Sequence, residues 1–217
     1  MSTNEFGNVF LLRHGQTISN KNGYWSNFPD EGLTEDGISQ ALQIGKLISG
    51  IEFDKVYTSP MKRCLLTIDH SMGRSMLDKA TKIDSLKERN LSGLMNMTSS
   101  EIESKFGVKI DTVLSSSIDN IEGVENSDDF VFRTSESLKE IFSETSRNHN
   151  VLIVSHGGTM CSFLRAFLKI EPKPRTFLNC AFMGLHFDGK SFQPKVSVNM
   201  KEDWYAPVDS SWRSLTL

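Results

Sequence analysis

Two histidines of the sequence each follow an apolar run with no spacer. His14 comes after residues 9–12 with only Arg13 between them, and His156 follows residues 151–154 with only Ser155 between them; each is succeeded by glycine. An imidazole can act as a nucleophile or a proton carrier near neutral pH, and a glycine beside it lets a ligand approach closely. One such histidine alone is most often satisfied by backbone groups, whereas two at the ends of buried strands indicate a site. We interpret the other three histidines as structural residues: His70, His149 and His186.

Arg13 and Arg63 add positive charge to these junctions. Arginine presents a planar fork of donors that matches phosphate oxygens and stays charged at any working pH. Taken singly, each arginine fits an ordinary solvent-exposed cation. Two arginines and two histidines at strand ends are better explained by a bound dianion.

A phosphoryl group is the dianion whose chemistry suits these residues. A neutral imidazole can attack phosphorus and form a phosphohistidine, and cations can stabilise charge on the equatorial oxygens. The leaving alkoxide then needs a proton, which a nearby carboxylic acid can donate. Two other interpretations stay open at this point: a metallohydrolase that uses His14 and His156 as ligands, which neighbouring arginines disfavour, and a phosphate-binding regulatory protein without turnover.

The elements that position these residues alternate along the chain. Apolar runs predict strands at residues 9–12, 56–58, 83–86 and 151–154, and helical periodicity predicts helices at residues 34–49, after Ser59-Pro60, from Ser127 and after His156. Ser100 and Glu103 predict a capped short helix that ends near Phe106, and residues 107–126 have few apolar anchors and resemble a surface excursion. A hairpin is predicted at residues 181–187 and 192–198, with its turn at Asp188-Gly189. The pattern predicts an α/β three-layer sandwich, with a mostly parallel sheet, helices on both faces and the hairpin at one edge.

Composition limits the functional class. The chain has 217 residues and a formal net charge of −3, so it lacks the overall basic character typical of proteins that bind nucleic acid or anionic membranes. Its N-terminus does not resemble a signal peptide, and its three cysteines lack the spacing of a zinc site. We therefore expect a cytoplasmic protein without metal or other cofactor, whose partner is a small phosphorylated molecule.

Five motifs, in order, closely resemble the histidine phosphatase superfamily, also called the phosphoglycerate mutase-like family. They are LLRHGQTISN, GLTEDGISQA, YTSPMKRCLLT, LKERNLSG and VLIVSHGGT, and the resemblance spans residues 8–168. It implies that His14 is the phosphorylated nucleophile, that Glu88 is the general acid and base, and that His156 stabilises the phosphoryl group. It also implies a set of substrate-binding residues: Arg13, Gln16, Asn20, Ser26, Arg63 and Gly157. Gln16 stands where many members have glutamate, a substitution that is common in the family.

The resemblance leaves a choice between a phosphatase and a cofactor-dependent phosphoglycerate mutase. Mutases of the family usually carry a longer basic insert between the glutamate and the second histidine, whereas residues 89–133 here hold four cations and eight acidic side chains. Such a field disfavours a polyanionic substrate. We therefore predict a metal-independent phosphatase of the histidine acid phosphatase type, formed by a single domain at residues 1–217 with a variable substrate-capping segment at about residues 89–130.

Aromatic and apolar residues near the motifs have two interpretations. Either they form an apolar wall for the leaving group, or they belong to the core. These residues are Tyr24, Trp25, Phe28, Leu94, Met95 and Met97.

Overall fold

A computed structural model describes residues 7–25, 30–144, 149–188 and 190–200, together with the backbone of residues 213–215. Among the sequence-based predictions, those for Ser26 and Phe28 and for Gly189 of the hairpin turn lie outside the described residues.

The described strands form one mixed sheet in the order β3-β2-β4-β1-β5-β6-β7. They are β1 (Asn8–Arg13), β2 (Lys55–Thr58), β3 (Thr81–Lys82), β4 (Asn150–Ser155), β5 (Phe177–Phe187), β6 (Phe192–Met200) and β7 (Arg213–Leu215). The first four are mutually parallel, β5 runs antiparallel to both β1 and β6, and β7 is parallel to β6. The predicted hairpin is therefore present and longer than expected, but β7 lies outside it, so β6 is not an edge strand.

Helices cover both faces of the sheet, which confirms the predicted α/β sandwich. They are α1 (Ile18–Asn22), α2 (Glu35–Ile48), α3 (Lys62–Met72), α4 (Arg74–Lys79), α5 (Ser99–Phe106), α6 (Ser127–Ser143) and α7 (Gly157–Phe163), and α7 continues as a π-helical turn (Leu164–Leu168). Alternate residues of β1 enter different cores: Val9 and Leu11 pack in the cluster that includes residues of α6 and α7, whereas Phe10 and Leu12 pack in the cluster that includes residues of α2 and α3. A parallel strand buried on both faces must be apolar throughout, which explains the uninterrupted run before Arg13.

Two short predicted elements differ from the structure. The strand predicted at residues 83–86 is a 3₁₀ helix (Asp84–Leu86), because the chain turns after β3 so that Leu86 is fully buried. The capping box of α5 is formed by Thr98 and Glu101 rather than Ser100 and Glu103, and its helix begins at Ser99. Both pairs have the same spacing, so the sequence pattern alone did not distinguish them.

Residues 91–124 form a compact unit with an apolar cluster of its own. Five side chains are buried in this cluster: Leu91, Leu94, Ile102, Ile110 and Ile118. Trp25 is among the partly buried residues that pack against them. The fully buried Arg89 guanidinium holds this unit together, since it pairs with Asp119 and donates to the carbonyl oxygens of Val113 and Ser115 at 2.8 and 2.9 Å. The interpretation of residues 107–126 as a plain surface excursion was therefore wrong, because their sparse apolar side chains converge on one cluster.

Candidate active site

Three neighbouring strands deliver the candidate residues to one edge of the sheet. β2, β4 and β1 are adjacent and parallel, so their carboxyl ends lie side by side. Hydrogen bonds continue one residue past the strands, from the His14 N–H to the Ser155 oxygen at 3.0 Å and from the Ser59 N–H to the Val154 oxygen at 3.0 Å. The backbone therefore fixes where His14 and the start of the segment that leads into α3 lie.

The His14 ring is buried, with 4% of the residue exposed. Its Nδ1 lies 2.8 Å from the Gly15 carbonyl oxygen. A carbonyl can only accept, so Nδ1 carries the proton. Burial, followed by the charges of Arg63 and Arg13, lowers the pKa of His14 well below its usual value. The imidazole is therefore neutral at physiological pH, and the lone pair of Nε2 accepts no hydrogen bond from the described residues.

Gly15 allows this loop to pass directly against the start of α2. A Cβ atom at Gly15 would lie 2.6 Å from the Gly37 carbonyl oxygen, which is backbone and cannot move aside easily. The Gly15 N–H donates to the Thr67 hydroxyl of α3 at 3.0 Å. Contacts with both helices thus hold the residue that follows the candidate nucleophile.

Arg13 and Arg63 place two cations beside this imidazole. The Arg13 guanidinium donates through Nη1 to the Phe177 carbonyl oxygen at 2.7 Å, while its buried Nε has no hydrogen-bond partner among the described residues. Burial lowers the pKa of Arg13, and the negative charge of Glu88 offsets part of this effect. Arg63 is 2% exposed and lies 3.9 Å from a carboxylate oxygen of Asp30. An unpaired buried donor is costly, so the Arg13 Nε marks a position suited to an anionic ligand.

His156 lies behind Arg63 rather than on the open side of the site. The Arg63 Nε donates to the His156 Nδ1 at 3.2 Å, and the His156 Nε2 lies 2.8 Å from the Ser59 hydroxyl. Since Arg63 can only donate, Nδ1 accepts and Nε2 carries the proton. Burial, then the charges of Arg63 and His14, lowers the pKa of His156 well below its usual value. The two histidine rings are 5.3 Å apart between centroids.

Glu88 reaches the site from the segment after the 3₁₀ helix. Its Oε2 accepts from the Gly158 N–H of α7 at 3.0 Å, and its Oε1 accepts from the Arg89 N–H at 2.9 Å. A Cβ atom at Gly158 would lie 2.0 Å from the Glu88 Oε1. The second glycine of the SHGG motif is therefore what lets the carboxylate approach.

A cavity of about 1050 Å³ opens over these side chains. Of the candidate site residues, six line it: Arg13, His14, Asn20, Arg63, Glu88 and Gly157. Asn20 is held by the Asn179 amide, which donates to its Oδ1 at 2.9 Å. Gln16 is not among the lining residues, because its Oε1 accepts from the Thr34 hydroxyl at 3.0 Å near the start of α2. His156, fully buried behind Arg63, does not line the cavity either.

Comparison with known proteins decides the family. The sequence profile of the histidine phosphatase superfamily (branch 1) matches residues 9–199 of the chain. The chain belongs to this superfamily. The resemblance seen in the five sequence motifs is confirmed.

Relatives within the superfamily include both mutases and phosphatases. A 2,3-bisphosphoglycerate-dependent phosphoglycerate mutase of Bacteroides fragilis is 27% identical over 202 residues, which cover 79% of this chain and 82% of the mutase. A broad-specificity phosphatase of Saccharomyces cerevisiae is 33% identical over 171 residues, which cover 75% of this chain and 70% of the phosphatase. The chain is thus a superfamily enzyme of one of these two kinds.

Solved structures share the fold. YhfR of Bacillus stearothermophilus superimposes with a TM-score of 0.73 at 22% identity, over 87% of this chain and 95% of YhfR. A phosphoserine phosphatase of Entamoeba histolytica, solved with 3-phosphoglyceric acid, gives a TM-score of 0.68 at 21% identity, over 92% of this chain and all of that chain. These similarities confirm the phosphoglycerate mutase-like α/β fold.

The apolar residues that line the cavity are only partly those that the sequence offered for a leaving-group wall. Tyr24 and Trp25 line the cavity as one interpretation required, whereas Leu94 and Met97 belong to the apolar cluster of the 91–124 unit, as the other required. Met95 is 44% exposed and lies outside the lining. The unit contributes other side chains to the wall instead: Leu91, Ser99, Ile110, Asp111, Thr112 and Val113.

Sequence reasoning missed several residues that the fold brings to this site. Ser59 was interpreted only as part of a helix start, yet its hydroxyl orients His156. Besides Arg13 and Arg63, three further cations from outside residues 89–133 line the cavity: Lys21, Lys173 and Arg175. Lys173 and Arg175 lie beyond the last motif, and Lys21 follows the first motif without matching it, so no local pattern indicated that these side chains would meet at the cavity.

The described residues hold neither a metal-binding cluster nor a membrane-spanning helix. No group of three or more histidine, cysteine, aspartate or glutamate side chains in this part of the chain could hold a metal ion. No helix among the same residues has the length and apolar character to cross a membrane.

Proposed function

We propose that this protein is a metal-independent phosphomonoesterase of the histidine acid phosphatase type, acting on a small phosphorylated molecule through a phosphohistidine on His14. The observation that carries the proposal is the His14 imidazole, which is neutral, buried near the charges of two arginines, and donates through Nδ1 to the Gly15 carbonyl oxygen. This arrangement leaves the Nε2 lone pair available for attack on phosphorus.

In the first step, Arg13 and Arg63 bind the phosphoryl oxygens and hold phosphorus against Nε2. The Arg13 Nε, which lacks a partner within the described residues, is suited to one of these oxygens, and the Asn20 amide lines the same cavity. Attack forms the N–P bond and breaks the P–O bond to the leaving group. The arginines stabilise the charge that spreads over the equatorial oxygens, which is the main requirement of phosphoryl transfer.

Glu88 supplies and recovers the proton. When it is protonated, it donates to the departing alkoxide, which leaves as an alcohol. The resulting carboxylate then accepts a proton from water as the water oxygen attacks phosphorus, the N–P bond breaks, and inorganic phosphate is released. Its anchorage to the Gly158 N–H keeps the carboxyl group on the cavity wall during both steps.

His156 acts in this proposal by orienting Arg63. Its Nδ1 accepts from the Arg63 Nε, and Ser59 fixes the tautomer that makes this possible. Because the guanidinium is planar, one fixed hydrogen bond at Nε restricts the direction of the remaining donors.

The 91–124 unit favours a phosphatase over a mutase. Two arginines close to it are already engaged, since Arg89 pairs with Asp119 and Arg133 pairs with Glu125 at 2.6 Å. Neither lines the cavity, so they do not supply a site for a second phosphate. A phosphoglycerate mutase remains the second candidate because Lys21, Lys173 and Arg175 do line it.

The test is to trap the intermediate and follow the fate of its phosphate. Protein incubated with a 32P-labelled phosphomonoester in the presence of EDTA and quenched in alkali should carry acid-labile label on His14, and turnover should release inorganic phosphate. His14→Asn should abolish both, while His70→Asn, a matched loss of an imidazole outside the site, should keep both. Equal turnover by wild type and His14→Asn would refute the mechanism. Interconversion of phosphoglycerates faster than phosphate release would favour the mutase.

A further inference from the structure

A tight turn before β5 places a basic residue on the cavity wall in an unfavourable backbone conformation. The turn spans residues 173–176 and is closed by the Thr176 N–H and hydroxyl, which donate to the Lys173 carbonyl oxygen at 3.2 and 2.7 Å. Pro174 follows Lys173, and Arg175 then adopts the left-handed region with φ of 57°.

Arginine is a poor choice for that position on conformational grounds. A turn with proline second and a positive φ third has the pattern of a type II turn, in which glycine or asparagine is preferred third. A non-glycine residue in this conformation carries a backbone cost, and such outliers often mark functional positions. Arg175 is exposed, lines the cavity, and makes no hydrogen bond or ion pair with the residues that the structure describes.

The turn is coupled directly to the phosphate-binding residues. Two residues after Arg175, the Phe177 carbonyl oxygen accepts from Arg13, and four residues after it, the Asn179 amide donates to Asn20. Arg175 therefore directly precedes the segment that supports the phosphoryl site, and it lies on the wall of the same cavity. Lys173, on the same turn, also lines that cavity.

We propose that Arg175, assisted by Lys173, binds a carboxylate at the other end of the phosphomonoester substrate. This inference rests on the proposed function, which it deepens by naming the substrate class. A planar guanidinium matches a carboxylate through two parallel hydrogen bonds. Asp111 and Glu31 line the same cavity and moderate its positive charge, which favours a singly charged group over a second phosphate dianion.

The experiment compares two substrates that differ at one group. In 3-phosphoglycerate the carbon chain ends in a carboxylate, and in glycerol 3-phosphate it ends in a hydroxymethyl group. Wild type should hydrolyse the first with a higher kcat/KM, through a lower KM. Arg175→Gly should lower kcat/KM for 3-phosphoglycerate about five- to tenfold and that for glycerol 3-phosphate less than twofold. Added salt should reduce the preference of wild type, because exposed charges are screened.

Matched variants distinguish the effect of losing the Arg175 side chain from the effect of changing the backbone conformation. Arg175→Asn, which also tolerates the left-handed conformation, should lose the same preference, and Arg175→Lys should retain part of it. Lys169→Gly is the control, since Lys169 is a basic residue with φ of 58° in the same segment and does not line the cavity. It should leave the substrate preference unchanged.

Two failures are distinguishable. If none of the substrates, p-nitrophenyl phosphate included, is hydrolysed in a His14-dependent manner, the proposed function fails. If His14-dependent hydrolysis occurs but wild type does not prefer the carboxylate substrate, or Arg175→Gly keeps that preference, the assignment of Arg175 is overturned.

Discussion

Lowering the pH from 7.5 to 5.5 is expected to destabilise this protein through its two site histidines. His14 and His156 are both buried and neutral, and burial together with the neighbouring arginines holds their pKa values well below normal. In the unfolded chain the same imidazoles titrate near the usual value of about 6.5. The unfolded state therefore binds more protons than the folded state once the pH falls below about 6.5.

The magnitude follows from proton linkage. Stability changes by about 1.4 kcal/mol per pH unit for each proton that only the unfolded state binds. If both imidazoles stay neutral in the folded state down to pH 5.5, and the unfolded pKa is about 6.5, each histidine costs about 1.4 kcal/mol between pH 7.5 and 5.5, and the pair costs about 2.8 kcal/mol. The stabilisation is complete above pH 6.5 and is lost as the pH falls towards the folded-state values. The carboxylates whose pKa is lowered, Glu101, Glu125 and Asp188, affect stability only at lower pH.

Urea unfolding at pH 7.5, 6.5 and 5.5 measures this directly. The free energy of unfolding should fall by about 2.8 kcal/mol in wild type, by about half as much in His14→Asn and His156→Asn, and by little in the double variant. Each substitution will also change the absolute stability, but the diagnostic quantity is the difference between the two pH values. His70→Asn removes an imidazole outside the site and should keep the wild-type difference. A double variant with an undiminished pH dependence would refute the assignment of neutral, buried imidazoles.

Two substitutions test the acid and its positioning. Glu88→Gln should slow hydrolysis of an alkyl phosphate about a hundredfold but that of p-nitrophenyl phosphate much less, because nitrophenolate leaves without a proton; an equal loss for both substrates would contradict the acid role. Gly158→Ala should displace the Glu88 carboxylate, since the new Cβ would lie 2.0 Å from Oε1, and should lower kcat about a hundredfold in steady-state assays while circular dichroism shows an intact fold. Gly157→Ala, whose Cβ would meet nothing nearer than the Arg13 Nε at 3.5 Å, should lose far less; similar losses in both alanine variants would argue against the displacement.

The positions of site residues could be predicted from the sequence where a local pattern alone fixes them. An apolar run that ends in Arg-His-Gly has few structural solutions, so the position of His14 at the carboxyl edge of a parallel sheet followed from the pattern itself. The position of His156 behind Arg63 could not be predicted this way, since it depends on which ring nitrogen meets which donor. The sequence also placed Gln16 beside the nucleophile as a substrate-binding residue. In the structure its Oε1 accepts instead from the Thr34 hydroxyl at the start of α2.

Charge near the cavity was the least predictable property, because it depends on contacts between distant residues. Counting residues 89–133 gave an acidic field, yet of the acidic residues after Glu88 in that segment only Asp111 lines the cavity, among the described residues. Arg175 reaches the same cavity from 64 positions further along the chain than Asp111. The expected repulsion of a polyanion therefore does not follow from the segment alone, and the preference for a phosphatase now depends on where Arg89 and Arg133 are engaged.

The electrostatic arrangement that keeps His14 neutral also bears on the fate of the proposed intermediate. When Nε2 bonds to phosphorus while Nδ1 keeps its proton, the ring becomes cationic. Burial and the two arginines disfavour that cation for the same reason that they lower the pKa of His14. The phosphoryl oxygens offset part of this cost only while they stay between the arginines. Loss of the phosphoryl group to water restores a neutral ring, so the surroundings of His14 favour transfer of the phosphoryl group onward to water.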